Sequence, residues 1–318
     1  MKKILVLVLL CTTFLISGCN NKKVEICTTS YPIEYLFQRI GEPYIETCNI
    51  SSDVTIQVAS LKKSYKEDLE NSNALFYISG MEPYFEIYSK DIREVGTNYV
   101  DLMNYGYYYD FQRVIISTNN GTETQEMTSY YDGDVFNNIN TYTKDPFVWM
   151  DPLTMLSTAE VVRDYLISEY PEHEAKFIEN YEELEIDLTN LDAQYQVLKD
   201  SNMDIAFVSM TPSFGNWQNA FGIRVYPVIL SKYGALPNER QLEIIKQKIR
   251  DDGVLYIAHE QNLTPKIEEL YNELVAELGL IPIELSNLSS LSEKEANNNQ
   301  DYLTIMYENF KVLESIGN

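Results

Sequence analysis

Histidine is nearly absent. His173 and His259 are the only two in 318 residues. That is too few for the usual base chemistry of hydrolases, and there is no Gly-x-Ser-x-Gly elbow and no phosphate loop. An enzyme is not expected. Cysteine numbers four, with no Cys-x-x-Cys pair and no Cys/His cluster, which excludes a structural zinc site. Basic residues number 24 against 48 acidic ones, a formal charge of −24. A surface that acidic repels phosphate backbones, so no nucleic-acid partner is expected. It suits a soluble extracellular protein or one that attracts cations. The 45% hydrophobic and 12% aromatic content suffices for a sizeable core, which rules out wholesale disorder. The length fits two lobes in a monomer.

Long apolar runs are missing too, with one exception at the start. Lys2 and Lys3 precede a mostly apolar stretch, Ile4 to Ile16, too short for a confident membrane span. It ends in Ile16-Ser17-Gly18-Cys19, which resembles the lipobox of bacterial lipoproteins, in which the cysteine is acylated and becomes the new N-terminus. Residues 1–18 then form the leader and 19–23 a tether, and loss of Lys2 and Lys3 takes the net charge to −26. The expected location is extracytoplasmic, anchored to the bacterial cell membrane through lipid on Cys19. With Cys11 gone in the leader, Cys27 and Cys48 remain. Each lies in a short β-like run, Val24–Thr28 and Ile45–Asn49, flanking a helix-like Pro32–Ile40. Neighbouring parallel strands are about 4.8 Å apart, so a disulfide is within reach, and two separate buried thiols are the other reading.

Strand-like and helix-like runs alternate beyond this unit. Ala74–Ile78 reads as a strand and the segment after Glu82-Pro83 as a helix. Residues 104–144 are rich in Tyr, Asn, Asp and Thr, broken only by a strand-like run at 113–117. Phe177, Tyr181, Leu184, Leu188, Leu191, Tyr195 and Leu198 recur at alternating spacings of four and three, the mark of a long helix with one apolar seam. In the second half, strands at 205–209, 225–230, 254–258 and 281–285 are each followed by a helical pattern. These features predict an α/β fold: two (β/α)4-type lobes with parallel sheets, residues 24–172 and 201–318, joined by a long backbone helix at 173–200. Ligands of such sheets bind beyond the carboxyl ends of the strands, here in a cleft between the lobes.

Six segments stand in a telling order: Thr28 to Leu36, Gly80-Met81-Glu82-Pro83-Tyr84, Asp145 to Pro152, Phe214-Gly215, Glu260 to Lys266, and the Tyr302, Met306, Asn309 pattern. Together they resemble the zinc/manganese-type substrate-binding lipoproteins of bacterial ABC importers, from about Val24 to Leu313. The resemblance implies a permease partner and a metal held between the lobes by three histidines and a carboxylate. None of those four ligands is present. Gln57 or Val58 stands at the first position, Phe147 at the second, Thr211 at the third and Ser289 at the carboxylate. Zinc takes imidazole, thiolate and carboxylate, and phenylalanine has no lone pair to offer. Zinc or manganese is thus what the family implies, and these residues oppose it.

Other groups each admit a functional and a plainer reading. His173 reads as a solvated residue at a helix start. His259, beside Glu260 on the cleft side, is either a ligand or a buried hydrogen-bonded histidine. Asp132-Gly133-Asp134 with Asn137 and Asn138 would cup a hard cation or form a surface turn. Tyr105 to Tyr109, Tyr130, Tyr131, Trp149 and Trp217 suit a sugar or an organic cation, or are simply core and surface aromatics. Three functions compete: an importer-associated binding lipoprotein without the usual zinc site, a metal binder using substitute oxygen ligands, and a surface lipoprotein that binds a protein or glycan without transport.

Overall fold

The computed structural model describes residues 24–52, 55–111, 114–118, 125–129, 131, 133–201 and 203–317. The leader and Cys19 lie outside the described residues, as do Tyr130 and Asp132. The first lobe runs β1 (Val24–Thr28), α1 (Tyr31–Gly41), β2 (Ile45–Asn49), α2 (Tyr65–Asn71), β3 (Ala74–Tyr77), α3 (Pro83–Glu94) and β4 (Asn98–Asp101). Its sheet is parallel, in the order β2-β1-β3-β4. Pro32 and Pro83 sit in the first turns of α1 and α3, where a missing N–H costs nothing. Cys27 pairs in register with Cys48 across β1 and β2, and the two are joined as a disulfide with Cα atoms 4.4 Å apart.

An antiparallel hairpin, β5 (Val114–Thr118) and β6 (Gln125–Ser129), follows. The sequence suggests only its first strand. Next come α4 (Pro152–Glu169), opened by the Asp151 side chain accepting from the Leu153 amide, and α5 (Glu174–Asp200). At about 1.5 Å per residue α5 is roughly 40 Å long. Every member of its expected seam is buried. It is fastened to both lobes. Asn180 donates to the carbonyls of Ile40 and Glu42 at the end of α1, and the Tyr195 hydroxyl donates to the Met306 carbonyl at 2.8 Å.

The second lobe runs β7 (Ala206–Ser209), α6 (Gly215–Phe221), β8 (Arg224–Pro227), α7 (Glu239–Asp251), β9 (Tyr256–His259), α8 (Pro265–Leu278), β10 (Ile281–Glu284), α9 (Glu293–Asn297) and α10 (Tyr302–Ile316). Its parallel sheet has the order β10-β9-β7-β8. The strand expected at 225–230 stops at Pro227, whose ring nitrogen cannot extend the ladder. Gly279 ends α8 at φ +67°, a conformation that costs other residues more.

Among the described residues, Tyr131 and 133–140 leave the first lobe and pack on the second, while Tyr108 and Tyr142 remain in the core that holds Phe76 and Met81. Tyr131 and Phe136 are buried in the second lobe's core beside Tyr226, Ile245 and Ile257. Polar links fix them there: the Tyr131 hydroxyl donates to the Pro227 carbonyl, the Gln241 amide to the Val135 carbonyl, and the Lys232 amide to the Asn140 carbonyl. Part of the expected first lobe therefore completes the second. Among the described residues no helix is long and apolar enough to cross a membrane.

Candidate functional site

The two sheets turn their carboxyl ends towards one another. From the first lobe, Thr29 and Ser30 follow β1, Gln57 follows β2 in a single 3-10 turn, and Glu82 follows β3. From the second, Thr211 follows β7, Glu260 follows β9 and Ser289 follows β10. All seven are buried.

The four positions singled out in the sequence are drawn into this interface. Gln57 is only 2% exposed, whereas Val58 is 37% exposed, so Gln57 is the inward member of that pair. Its amide faces the Tyr142 phenol, whose hydroxyl donates to the Met81 carbonyl at 3.3 Å. Gly234 covers Gln57 from the other lobe: a Cβ there would sit 2.6 Å from Val58 and 3.3 Å from the Gln57 Cβ. Phe147 is wholly buried, edge-on to Tyr142 and Trp149 at centroid distances of 5.6 and 5.5 Å. The Asn216 amide donates to its carbonyl at 2.6 Å, which ties the two lobes together.

Thr211 is bound to Glu260. The Glu260 carboxylate accepts from the Met210 and Thr211 amides at 2.7 and 2.9 Å, the Thr211 hydroxyl at 2.5 Å and the Asn287 amide at 2.7 Å. Burial raises its pKa, and these donors pull against that rise. The Asn287 side chain then accepts from the Ser289 amide, leaving the Ser289 hydroxyl with no partner. Glu260 thus sets one wall of the cleft. The sequence pointed to Glu260 only as part of a motif, because a lone glutamate after a strand signals nothing until its donors are in place.

The cleft edges are sealed. The Trp149 indole donates to the Asn287 carbonyl at 2.9 Å, and the Tyr302 hydroxyl to the Trp149 carbonyl at 2.6 Å. The Thr55 amide and hydroxyl reach the Asn262 carbonyl, and Lys232 and Tyr233 both bond to Glu86 at 2.7 and 2.8 Å.

This donor set does not fit zinc. Phe147 offers nothing, the Thr211 hydroxyl is already engaged by Glu260 and Ser213, and Gln57 and Ser289 supply only neutral groups. Among the described residues no group of three His, Cys, Asp or Glu is placed to hold a metal ion.

The remaining candidates lie elsewhere. His259 is half-buried rather than buried. Its two ring nitrogens face different carboxylates, Glu268 and Glu284, each at 3.3 Å, so imidazole and carboxylates do not converge on one point. His173 stacks on Tyr44 at 3.6 Å, away from the cleft. Asp134 and Asn137 are exposed in a surface turn. Trp149 and Trp217 are core residues, Tyr108 and Tyr131 are buried, and Tyr105 and Tyr107 face solvent. These aromatics do not line one common surface.

Comparison with known proteins agrees with this layout. The family described as zinc-uptake complex component A, periplasmic, matches residues 26–316. The zinc-binding lipoprotein AdcA of Streptococcus pneumoniae strain R6 is 25% identical over 328 residues, covering 99% of this chain and 61% of that protein. The zinc-binding protein AdcA of Streptococcus pyogenes serotype M1 is 28% identical over 169 residues, covering 53% and 32%. The chain therefore spans between a third and three fifths of the length of these relatives. Among solved structures, the laminin binding protein Lmb of Streptococcus agalactiae superposes with a TM-score of 0.72 at 18% identity, covering 93% of this chain and 100% of that one. The Zn(II)-bound ZnuA-like domain of S. pneumoniae AdcA gives 0.65 at 19% identity, covering 93% and 99%. These likenesses establish the fold.

Proposed function

The chain belongs to the family of periplasmic zinc-uptake complex component A, and on that premise we propose that it is a substrate-binding lipoprotein of an ABC importer whose cleft no longer holds zinc. The chain is a binding protein in this reading and not an enzyme. It sits outside the cytoplasmic membrane, tethered through Cys19, and presents its two lobes to a permease. Family membership and the two-lobed fold support the transport role. The anchor and the permease are inferred, the first from Ile16-Ser17-Gly18-Cys19 and the second from the family.

One observation carries the loss of zinc. At the cleft positions where the family places its ligands stand a phenyl ring, an amide and two hydroxyls, one of them held by Glu260. Neutral oxygens do not offset the cost of stripping water from a doubly charged ion. The test is calorimetric titration of the purified protein with zinc and manganese at physiological ionic strength. No stoichiometric site tighter than about micromolar, roughly 8 kcal/mol of binding free energy, is expected. Tighter binding abolished by Thr211→Ala with Ser289→Ala would overturn the reading.

A further inference from the structure

The edge strand β2 turns unused main-chain groups outward. On its inner side the Val24 amide of β1 donates to the Tyr44 carbonyl at 3.2 Å, and the Ile50 amide donates to the Thr28 carbonyl at 3.0 Å. Alternation along the strand then points the N–H and C=O of Thr47 and Asn49 away from β1, where no further strand of the sheet lies. Among the described residues these main-chain groups have no hydrogen-bond partner. Cys48, between them, is fastened to Cys27 of β1 by the disulfide, so the edge is a fixed template.

A cavity of about 500 Å³ lies along this edge. Thr47, Cys48 and Asn49 line it in succession. Their side chains alternate between the two faces of the sheet, so the cavity borders the edge rather than one face. Leu291 and Asp301 of the second lobe wall it as well. The ends of the edge differ in charge. Glu42 stands just before β2, and Lys62, whose amide donates to the Ile50 carbonyl, stands just past its end. Both line the cavity, and neither side chain has an ionic or hydrogen-bonded partner among the described residues. The cavity's other cation, Arg39, is already paired with Asp187 at 2.9 Å.

A strand added parallel to β2 would bring its N-terminus to Glu42 and its C-terminus to Lys62. At about 3.3 Å per residue, Ile45 to Asn49 spans roughly 13 Å, room for about four extended residues. We propose that this edge binds a short peptide with free termini, laid parallel to β2. Its main chain pairs with Thr47 and Asn49, its ammonium group meets Glu42 and its carboxylate meets Lys62. A strand inside a second copy of the chain carries neither terminal charge, so the end residues single out a free peptide. The site is separate from the central cleft: none of Gln57, Phe147, Thr211 and Ser289 lines it.

The test is calorimetric titration of the purified protein with tetra-alanine at pH 7 and low ionic strength. The same peptide is also used N-acetylated, C-amidated, or N-methylated at its internal amides. Saturable one-to-one binding with a Kd of about a millimolar or tighter is expected. Blocking either terminus should weaken it by about fivefold, as loss of an exposed ion pair does, and N-methylation should abolish it. Lys62→Gln should weaken the free-carboxylate peptide and leave the amidated one unchanged, and Glu42→Gln should act likewise on the free and acetylated amine. Thr47→Pro removes an outward N–H without touching the β1 ladder and should also abolish binding, with near-ultraviolet circular dichroism reporting the fold. The N-methylated peptide asks the same question of the unaltered protein. The proposal is overturned by the absence of saturable heat with tetra-alanine, by binding that survives N-methylation, or by a Lys62→Gln effect that follows the amine block instead of the carboxyl block. A dimer in sedimentation equilibrium that Thr47→Pro dissociates would assign the edge to a second copy and overturn it too. The zinc titration above turns on Thr211 and Ser289, so the two readings fail separately.

Discussion

Asp145 lies directly against Gly215, so that a Cβ built on that glycine would collide with the Asp145 Oδ2. The contact joins the loop ahead of α4 to the first residue of α6. Asp145 cannot retreat: it is buried, and its other oxygen accepts from the Phe147 amide at 3.0 Å. Gly215→Ala should therefore destabilise the protein by about 1–3 kcal/mol, the usual cost of forced overpacking. Thermal melts of Gly215→Ala, Asp145→Ala and the double variant check this. The double variant should lose less than the sum of the singles, because the clash disappears with its partner. Additive losses would mean that the contact is not what makes Gly215 necessary.

Stability should fall as the pH rises from about 4 towards 8. Burial, the largest cause in each case, pushes Glu82 up to about 8, Asp145 to about 7 and Asp151 to about 6. The unfolded chain releases these protons near ordinary carboxyl values, whereas the folded chain keeps them. The native state therefore binds more protons across that window, and each pH unit costs folding free energy until the native pKa is passed. Urea unfolding at pH 5 and pH 8 should show a loss on the order of a few kcal/mol. Glu82→Gln should flatten the profile. A stability maximum near pH 8 in the unsubstituted protein would contradict the assignment.

The Cys27–Cys48 disulfide spans 21 residues and ties together the two strands that carry the first lobe's edge. Replacing both by serine should cost about 3 kcal/mol, mainly by freeing the unfolded chain. Alkylation in denaturant without reductant should leave both cysteines unlabelled. Labelling of both would show that the bond does not form in the protein as isolated.

Acylation of Cys19 is expected in the protein recovered from membranes. Mass spectrometry of the N-terminal peptide should find a diacylglycerol-modified Cys19, and Cys19→Ala should release the protein into the medium. An unmodified terminus cut elsewhere would remove the anchor from the proposed function.

Elements with a single strong period were legible from residues alone. The α5 seam at Phe177 through Leu198 is buried at every expected position, and β1 to β3 and the four strands of the second sheet lie close to their expected places. Elements without such a period were not. The short α2, Tyr65–Asn71, buries only Leu69, and β4, Asn98–Asp101, has no fully buried residue. At the site, Phe147, Thr211 and Ser289 could be placed through the motifs around them. Glu82 and Glu260 carry more of the cleft's electrostatics, and their roles depend on neighbours brought from distant strands. Glu260 gathers four donor groups from Met210, Thr211 and Asn287, a set that no local pattern encodes.

Tyr131 and Phe136 fill a core whose other walls come from residues more than seventy positions further along the chain. While the polypeptide emerges from a secretion channel, this stretch has nowhere to dock until β7, β8 and α7 have arrived. The halves are therefore not independent folding units that mature one after the other. A fragment ending before residue 206 would expose the Tyr131 and Phe136 rings, and a fragment beginning at 203 would carry a hole where they belong. Such unpaired surfaces invite association between chains during export, so the transit of this protein depends on completing both halves together.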